Sequence, residues 1–262
     1  MKKHLQLILL LLLAHFSFSQ SCGQVEYNII INSNARHERK STLYFNDTST
    51  YFVRNKLSIN ETADNRVASE GQSVSLNLES SDEQGIVVYR NFNTKEIVAR
   101  EAKMGKFFEA FTYQDNWIDI TWDIKDDTLK IGSFTCQKAI GTFRGRAYTA
   151  WFTEQVPLPY GPWKLFGLPG LILQAEDQKG IFKMTMTSIE YPDNCTFSIT
   201  KPTAPETKTL KEYVDFRDNF GDYLFKKIQA RLPRNLANAM QQGSKNQDGR
   251  KYQDETVYEW EK

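Results

Sequence analysis

Residues 134–175 read FTCQKAIGTFRGRAYTAWFTEQVPLPYGPWKLFGLPGLILQA. Two alternating runs, Phe134 to Phe143 and Tyr148 to Phe152, flank Arg144-Gly145-Arg146, which has the length and polarity of a hairpin turn. A third run, Leu171 to Ala175, follows a stretch that no central strand can contain. Pro157, Pro159 and Pro162 each withhold a ladder donor and hold the backbone extended. Leu168-Pro169-Gly170-Leu171 reads as a type II turn, with proline presetting φ and Gly170 accepting a positive one. Gly167 and Gly170 also permit close backbone approach. The stretch therefore predicts a hairpin, a stiff aromatic loop and a returning strand. Two readings of that loop stand side by side. In one, Trp151, Tyr160, Trp163 and Phe166 form a ligand-binding rim, with Arg144 and Arg146 as anion partners. In the other, so many apolar side chains plug one end of the sheet.

The same period of two extends outward. Val25, Tyr27, Ile29 and Ile31 alternate, and Leu43 to Phe45 and Tyr51 to Val53 flank the turn signal Asn46-Asp47. Asn55 to Gln84 is polar and reads as a long loop or edge hairpin. Ile86 to Tyr89 and Ile97 to Ala99 are joined by Asn91-Phe92-Asn93-Thr94. Phe107 to Tyr113 leads into Trp117, Ile118, Ile120, Trp122 and Ile124, with a turn expected at Asp126-Asp127. Ile181 to Ile189 follows Asp177 to Gly180. Short strands at this spacing, without βαβ alternation, predict an antiparallel sandwich, barrel or strongly curved sheet. Thr209-Leu-Lys-Glu212 is a capping box, and Leu210, Tyr213, Val214, Phe216, Phe220, Leu224 and Ile228 keep helical spacing. One C-terminal helix over about 209–232, weakened at Gly221 and ended by Pro233, is expected to pack on the sheet. A polar tail follows over about 241–256, and Val257, Tyr258 and Trp260 read as a last strand.

Residues 1–19 have the form of a secretory signal: Lys2 and Lys3, an apolar run from Leu5 to Ala14, then small residues, with Ser17 and Ser19 placed for cleavage before Gln20. Residues 20–262 would form a single β-rich domain. Outside the N-terminus no apolar run approaches the ~18 residues of a membrane span. The expected location is the periplasm, the outer-membrane surface or the medium. Three cysteines remain after cleavage: Cys22, Cys136 and Cys195. Export favours pairing, and Cys136–Cys195 is the candidate disulfide. Cys22 is the alternative point of processing, as an acylated lipid anchor.

Several chemistries are excluded. Basic and acidic residues number 33 and 32, so no charge excess points to nucleic acid. His37 is the only histidine left after cleavage and is expected in a solvated loop. No HExxH, CxxC, P-loop or GxGxxG pattern is present, so neither a metal site nor a cofactor is expected. Carboxylates resist exclusion, because glycoside hydrolysis needs only two of them across a sugar bond. Glu154, Asp119 and Asp123 are the candidates, with Trp117 and Trp122 beside the last two.

Gly167-Leu168-Pro169-Gly170-Leu171-Ile172 resembles the signature of the GLPGLI family, secreted proteins found mainly in Bacteroidota. Its companions resemble that family too: Cys136-Gln-Lys138-Ala139, Phe143-Arg144-Gly145-Arg146, Ala150-Trp151-Phe152-Thr153, Gly161-Pro162-Trp163-Lys164, and the opening Gly23-Gln24-Val25-Glu26-Tyr27. The family's frequent Asn-Pro-Ile-Glu ending is absent. The resemblance implies a secreted, mainly β protein: one strongly curved antiparallel sheet, an open barrel or bowl, with a C-terminal helix packed on it. A similar bowl-like module precedes the catalytic part of a bacterial peptide:N-glycosidase, which implies a glycan setting. It supplies no catalytic residues. The expected function is non-catalytic binding of an unknown ligand or envelope protein through the concave face and its proline-aromatic loop. The alternatives are a carboxylate-dependent enzyme on glycans or glycopeptides, and a structural partner in an outer-membrane complex.

Overall fold

A computed structural model describes residues 22–32, 36–54, 67–69, 72–74, 82–193, 197–234, 237 and 250–261. The expected signal peptide and Cys195 lie outside these. The strands are β1 (Gly23–Asn32), β2 (Arg36–Phe45), β3 (Ser49–Arg54), β4 (Val67–Ser69), β5 (Gln72–Val74), β6 (Ile86–Asn91), β7 (Glu96–Glu101), β8 (Phe111–Asp115), β9 (Trp122–Ile131), β10 (Phe134–Phe143), β11 (Arg146–Thr153), β12 (Leu171–Asp177), β13 (Phe182–Glu190) and β14 (Glu206–Lys208). Two helices follow, α1 (Leu210–Asp218) and α2 (Phe220–Gln229), and a 3-10 turn at Glu259–Glu261. Twelve strands make one open sheet in the order β14-β8-β7-β6-β3-β2-β1-β13-β12-β11-β10-β9, while β4 and β5 pair separately. Every neighbouring pair is antiparallel except β14 with β8.

The connectivity forces this sheet to curl. Strands β8 and β9 stand ten places apart in the order, roughly 48 Å in a flat sheet at ~4.8 Å per strand. Residues 116–121 join them, and so short a linker reaches about 25 Å at most. A side-chain contact gives the same result. Arg144, in the turn between β10 and β11, donates from Nη2 to Asp115 Oδ1 at the end of β8, at 2.6 Å. The two halves of the sheet thus face one another without closing. Strand β9 remains an edge, exposed along most of its length, and Asp123, Lys125, Asp126, Asp127 and Lys130 discourage further pairing there.

Alternation places Val25, Tyr27 and Ile29 of β1 and Tyr148, Ala150 and Phe152 of β11 on the buried face. The Thr209 capping box forms at the start of α1. Tyr213 of α1 stacks on Tyr113 of β8, with centroids 3.9 Å apart, and Phe216 packs edge-on against Phe111.

Several expectations need correction. The single helix over 209–232 is two helices. Asn219, the cap between them, bonds Asp215 O from its backbone amide at 3.0 Å and from Nδ2 at 3.1 Å, and Asp215 Oδ1 from Nδ2 at 2.8 Å. Asp126-Asp127 lie within β9, and the chain turns at Gly132-Ser133 instead. Trp117 to Ile120 belong to the linker, not to a strand. His37 lies in β2 opposite Ile31, not in a loop. The tail packs on the sheet at Glu255 and Tyr258, which are 1% and 0% exposed. Residues 257–260 form no strand. The Thr256 and Val257 amides donate to Arg144 O, and a 3-10 turn follows.

Candidate functional site

The proline-aromatic loop, residues 154–170, fills the concave face. Its Tyr160, Trp163 and Phe166 are 2%, 5% and 4% exposed. They meet both halves of the sheet: Tyr160 packs on Phe45 of β2, and Trp163 stands edge-on to Phe143 of β10. Arg90 of β6 is fully buried and clasps the loop. Its guanidinium donates to the carbonyls of Trp163 at 2.6 Å, Gly161 at 3.2 Å and Leu165 at 3.4 Å, and to Thr50 Oγ1 at 3.3 Å. Burial without an acidic partner pulls Arg90 down to about 9. The clasp holds Trp163 at φ +53, a costly conformation for a bulky residue.

The two glycines exchange the roles that the sequence suggests. Gly170 has no positive φ; a Cβ there would lie 2.1 Å from Thr153 O, so glycine is needed for close approach. The positive φ, +93, belongs to Gly167. The rings placed on a ligand rim are therefore core, and Trp151 stands apart on the outer face of β11 with Lys138 Nζ 6.0 Å from its ring centroid.

Arg144 and Arg146 are equally committed. Arg144 and Lys164 form a buried quartet with Asp115 and Glu255, all at most 2% exposed in their side chains. Arg144 also meets Glu259 at 2.9 Å. Burial alone would raise the Asp115 carboxyl, but the charges of Lys164 and Arg144 hold it below the usual carboxylate range. The Arg144 guanidinium is raised further: burial opposes, and Glu255 and Asp115 prevail. Arg146 bonds Asp177 at 2.9 Å and the Gln253 carbonyl at 2.6 Å from Nη2. Neither arginine has a free edge for a ligand. Sequence reasoning missed Asp115, Lys164, Glu255 and Arg90. A usable signal was present: Arg90 shares an inward strand face with Val88, and Lys164 interrupts an apolar run.

The catalytic candidates do not converge on one cleft. Glu154, Asp119 and Asp123 are exposed on the loop, the linker and β9. Asp119 accepts from Trp117 Nε1 at 2.9 Å, and Asp123 pairs with Lys125 at 2.5 Å. Among the described residues no group of three or more His, Cys, Asp or Glu is placed to hold a metal ion. The thiol of Cys136 is free and buried in the core, and burial pushes it up to about 11. The Cys136–Cys195 bridge is therefore not formed. Cys22 is disulfide-bonded.

The surface that remains open lies elsewhere. A groove of about 600 Å³ runs between β8, β14, α1 and α2, with Phe108, Phe111, Phe216 and Tyr223 lining it. Its four carboxylates are engaged: Glu109 with Lys103, Glu206 with Lys208, Glu212 in the helix cap, and Asp215 with the Tyr223 hydroxyl. Lys211 and Lys227 close no ion pair among the described residues. Their ammonium groups stand over aromatic rings, Lys211 5.6 Å from the Trp260 centroid and Lys227 5.0 Å from that of Phe108. The groove therefore offers an aromatic floor and two ammonium groups that close no ion pair of their own, beside the Glu212 and Asp215 carboxylates, which are hydrogen-bonded and still charged.

The fold is mainly β: one large open sheet with two C-terminal helices. Residues 144–174 match the family model described as a protein of unknown function, Porph_ging. No curated protein matches the chain. Among solved structures, two crystal forms of PNGF-II are similar at 17% and 18% identity, with TM-scores of 0.48 and 0.49. The match covers 74% of this chain and 32% of PNGF-II, so the chain spans about a third of that protein's length. An uncharacterized conserved protein from Thermus thermophilus is similar at 9% identity and a TM-score of 0.37, over 79% of this chain and 99% of that one. Among the described residues no helix is long and apolar enough to cross a membrane.

Proposed function

We propose that this is an exported, non-catalytic binding protein of the GLPGLI type, and that it takes an anionic amphiphile in the groove between the β8–β14 edge and the two helices. The observation that carries this reading is the pairing of an aromatic floor with Lys211 and Lys227, which close no ion pair among the described residues, while Glu109 and Glu206 are ion-paired and Glu212 and Asp215 are tied by hydrogen bonds to Thr209 and Tyr223. The volume suits a small-molecule site, since such pockets measure roughly 300–1,000 Å³. An apolar body would lie on Phe108, Phe111 and Phe216, and its charged end would meet the lysines. Export is supported by the signal-like residues 1–19 and by the disulfide at Cys22, which suits an oxidising compartment.

Calorimetric titration tests this with dodecanoate against the neutral detergent dodecyl maltoside. Dodecanoate should bind saturably and more tightly. The double variant Lys211→Glu/Lys227→Glu should weaken it about tenfold, since exposed charge pairs contribute up to ~1 kcal/mol each. Equal affinity for the charged and neutral probes, or an unaffected variant, would overturn the proposal.

A further inference from the structure

A second cavity, about 200 Å³, lies on the other side of α1 from the groove. Its walls come from β3, β6, β7 and β8, from the loop at Trp163 and Lys164, from α1 at Tyr213 and Arg217, and from the C-terminal segment Gln253 to Glu255. Most of its charged groups are mutually satisfied. Arg54 pairs with Asp254 at 2.5 Å, Lys164 with Glu255 at 2.9 Å, and Arg217 approaches Glu255 at 3.6 Å. Three groups are not. Four buried side-chain polar atoms among the described residues lack a hydrogen-bond partner, and two of them, Arg217 Nε and Gln253 Oε1, belong to residues that line this cavity. The third group is the half-buried Glu101 carboxyl, which among the described residues accepts no hydrogen bond and closes no ion pair. Buried polar atoms are normally paired, and clustering of exceptions in one cavity marks a place for a bound molecule.

The unmet groups specify the molecule. Arg217 Nε–H needs an acceptor, and Gln253 Oε1 needs a donor. The formal charges on the lining residues are three positive, Arg54, Lys164 and Arg217, against Asp254, Glu255 and Glu101. If Glu101 is protonated the cavity carries one net positive charge and gains an O–H donor. A single carboxylate entering beside it restores neutrality. We propose that this cavity binds a small hydroxycarboxylate, its carboxylate held by Arg217 and protonated Glu101 and its hydroxyl donating to Gln253. Binding then takes up a proton at Glu101.

The groups facing Glu101 support this coupling. Burial raises its carboxyl to about 7; Arg54 from β3, Arg217 from α1 and Lys164 from the loop oppose the rise, while Asp254 assists it. The remaining ionisable neighbours in the cavity are Tyr113, Tyr213 and Glu255. Glu101 is thus half protonated near neutrality, and a ligand that selects the protonated form loses affinity as pH rises.

The test uses the folded chain, with lactate as probe and acetate, glycine and glycerol as comparators, at constant ionic strength. Lactate should bind saturably, and its apparent affinity should fall about tenfold from pH 6 to pH 8, as the protonated fraction of a group titrating near 7 does. In Glu101→Gln, which keeps a donor at every pH, lactate should bind with no pH dependence. Acetate should bind more weakly, and glycerol should not bind. Absence of saturable lactate binding at pH 6, or binding that ignores pH in the wild type, would overturn the proposal. So would glycine or glycerol binding as tightly as lactate. Retained pH dependence in Glu101→Gln would place the proton on another group and overturn it equally. None of these outcomes depends on Lys211 or Lys227, so failure here leaves the groove reading intact.

Discussion

Asp115→Asn isolates the interaction that ties the two halves of the sheet together. Asp115, Glu255, Arg144 and Lys164 are buried as two anions and two cations, each side chain at most 2% exposed. The substitution keeps the shape of the side chain and an acceptor oxygen, but leaves a buried positive charge uncompensated. Breaking a buried pair on one side costs roughly 3–5 kcal/mol. That is a large fraction of the ~5–15 kcal/mol that holds a typical domain folded. Urea unfolding at pH 7, followed by tryptophan fluorescence, should show the midpoint fall with little change in slope. The diagnostic step is a second substitution. Lys164→Met in the Asp115→Asn background restores the balance of the buried quartet, leaving Arg144 opposite Glu255 with Glu259 still at its edge, and should recover part of the loss. The acid limb gives an independent check. Asp115 titrates below its unfolded value, so its contribution is present above about pH 4 and is lost as pH falls through the lower folded value. Asp115→Asn should flatten that limb. A single-variant loss under about 1 kcal/mol, or simple additivity with Lys164→Met, would refute the reasoning.

The loop and the cysteines give further expectations. Gly170→Ala forces a Cβ to within 2.1 Å of Thr153 O and should cost roughly 3 kcal/mol or more, whereas Gly167→Ala meets only positive-φ strain of roughly 1–2 kcal/mol; equal losses in thermal melts would contradict the assignment. Arg90→Lys replaces a planar fork, which reaches three carbonyls and Thr50 from separate nitrogens, by one ammonium point that cannot span them, and should cost roughly 2–4 kcal/mol, measured by urea unfolding; a loss below about 1 kcal/mol would argue against the clasp. Cys136 should resist iodoacetamide at pH 8 until the protein is denatured, since its thiol is buried and titrates near 11. The native chain should carry one disulfide and no acyl group, with an intact mass about 2 Da below the all-thiol form.

What was legible in the sequence was what depends on local alternation and turn chemistry. Phe134 to Phe143 is a strand with the expected bounds, and Arg144-Gly145 turns it into β11. The Thr209-Glu212 capping box is local and is formed. What was not legible depends on pairing between distant segments. Aromatic residues such as Trp163 suit a rim and a core equally, and only the facing strands, β2 and β10 among them, decide for the core. Asp126-Asp127 has turn composition, but as part of an exposed edge strand it needs no turn. The C-terminal segment looks loose because it is polar. Its polar groups are there to meet Arg144, Lys164 and Arg217, partners that lie far away in sequence.

The short linker between β8 and β9 explains why one stretch carries so much of the architecture. It brings the ends of a twelve-strand sheet together, and a curled sheet has an interior that must be filled. The chain fills it between β11 and β12, with a loop whose Pro159 and Pro162 carbonyls accept from the Gly167 and Leu165 amides and whose Gly161, Trp163 and Leu165 carbonyls are taken up by Arg90. The segment matched by the family model, residues 144–174, contains the Arg144 turn, β11, this loop and the start of β12. It is therefore the part that closes the bowl. The groove is built from residues 108–111 and 206–227, and the polar cavity takes Glu101, Arg217 and Gln253 from outside the same segment. Two proteins that share this segment are bound to share the plug, because Gly170, Trp163 and Arg144 have structural reasons to be there. They are not bound to share a ligand, because Glu101, Arg217 and Gln253, and the groove residues, come from outside the matched segment.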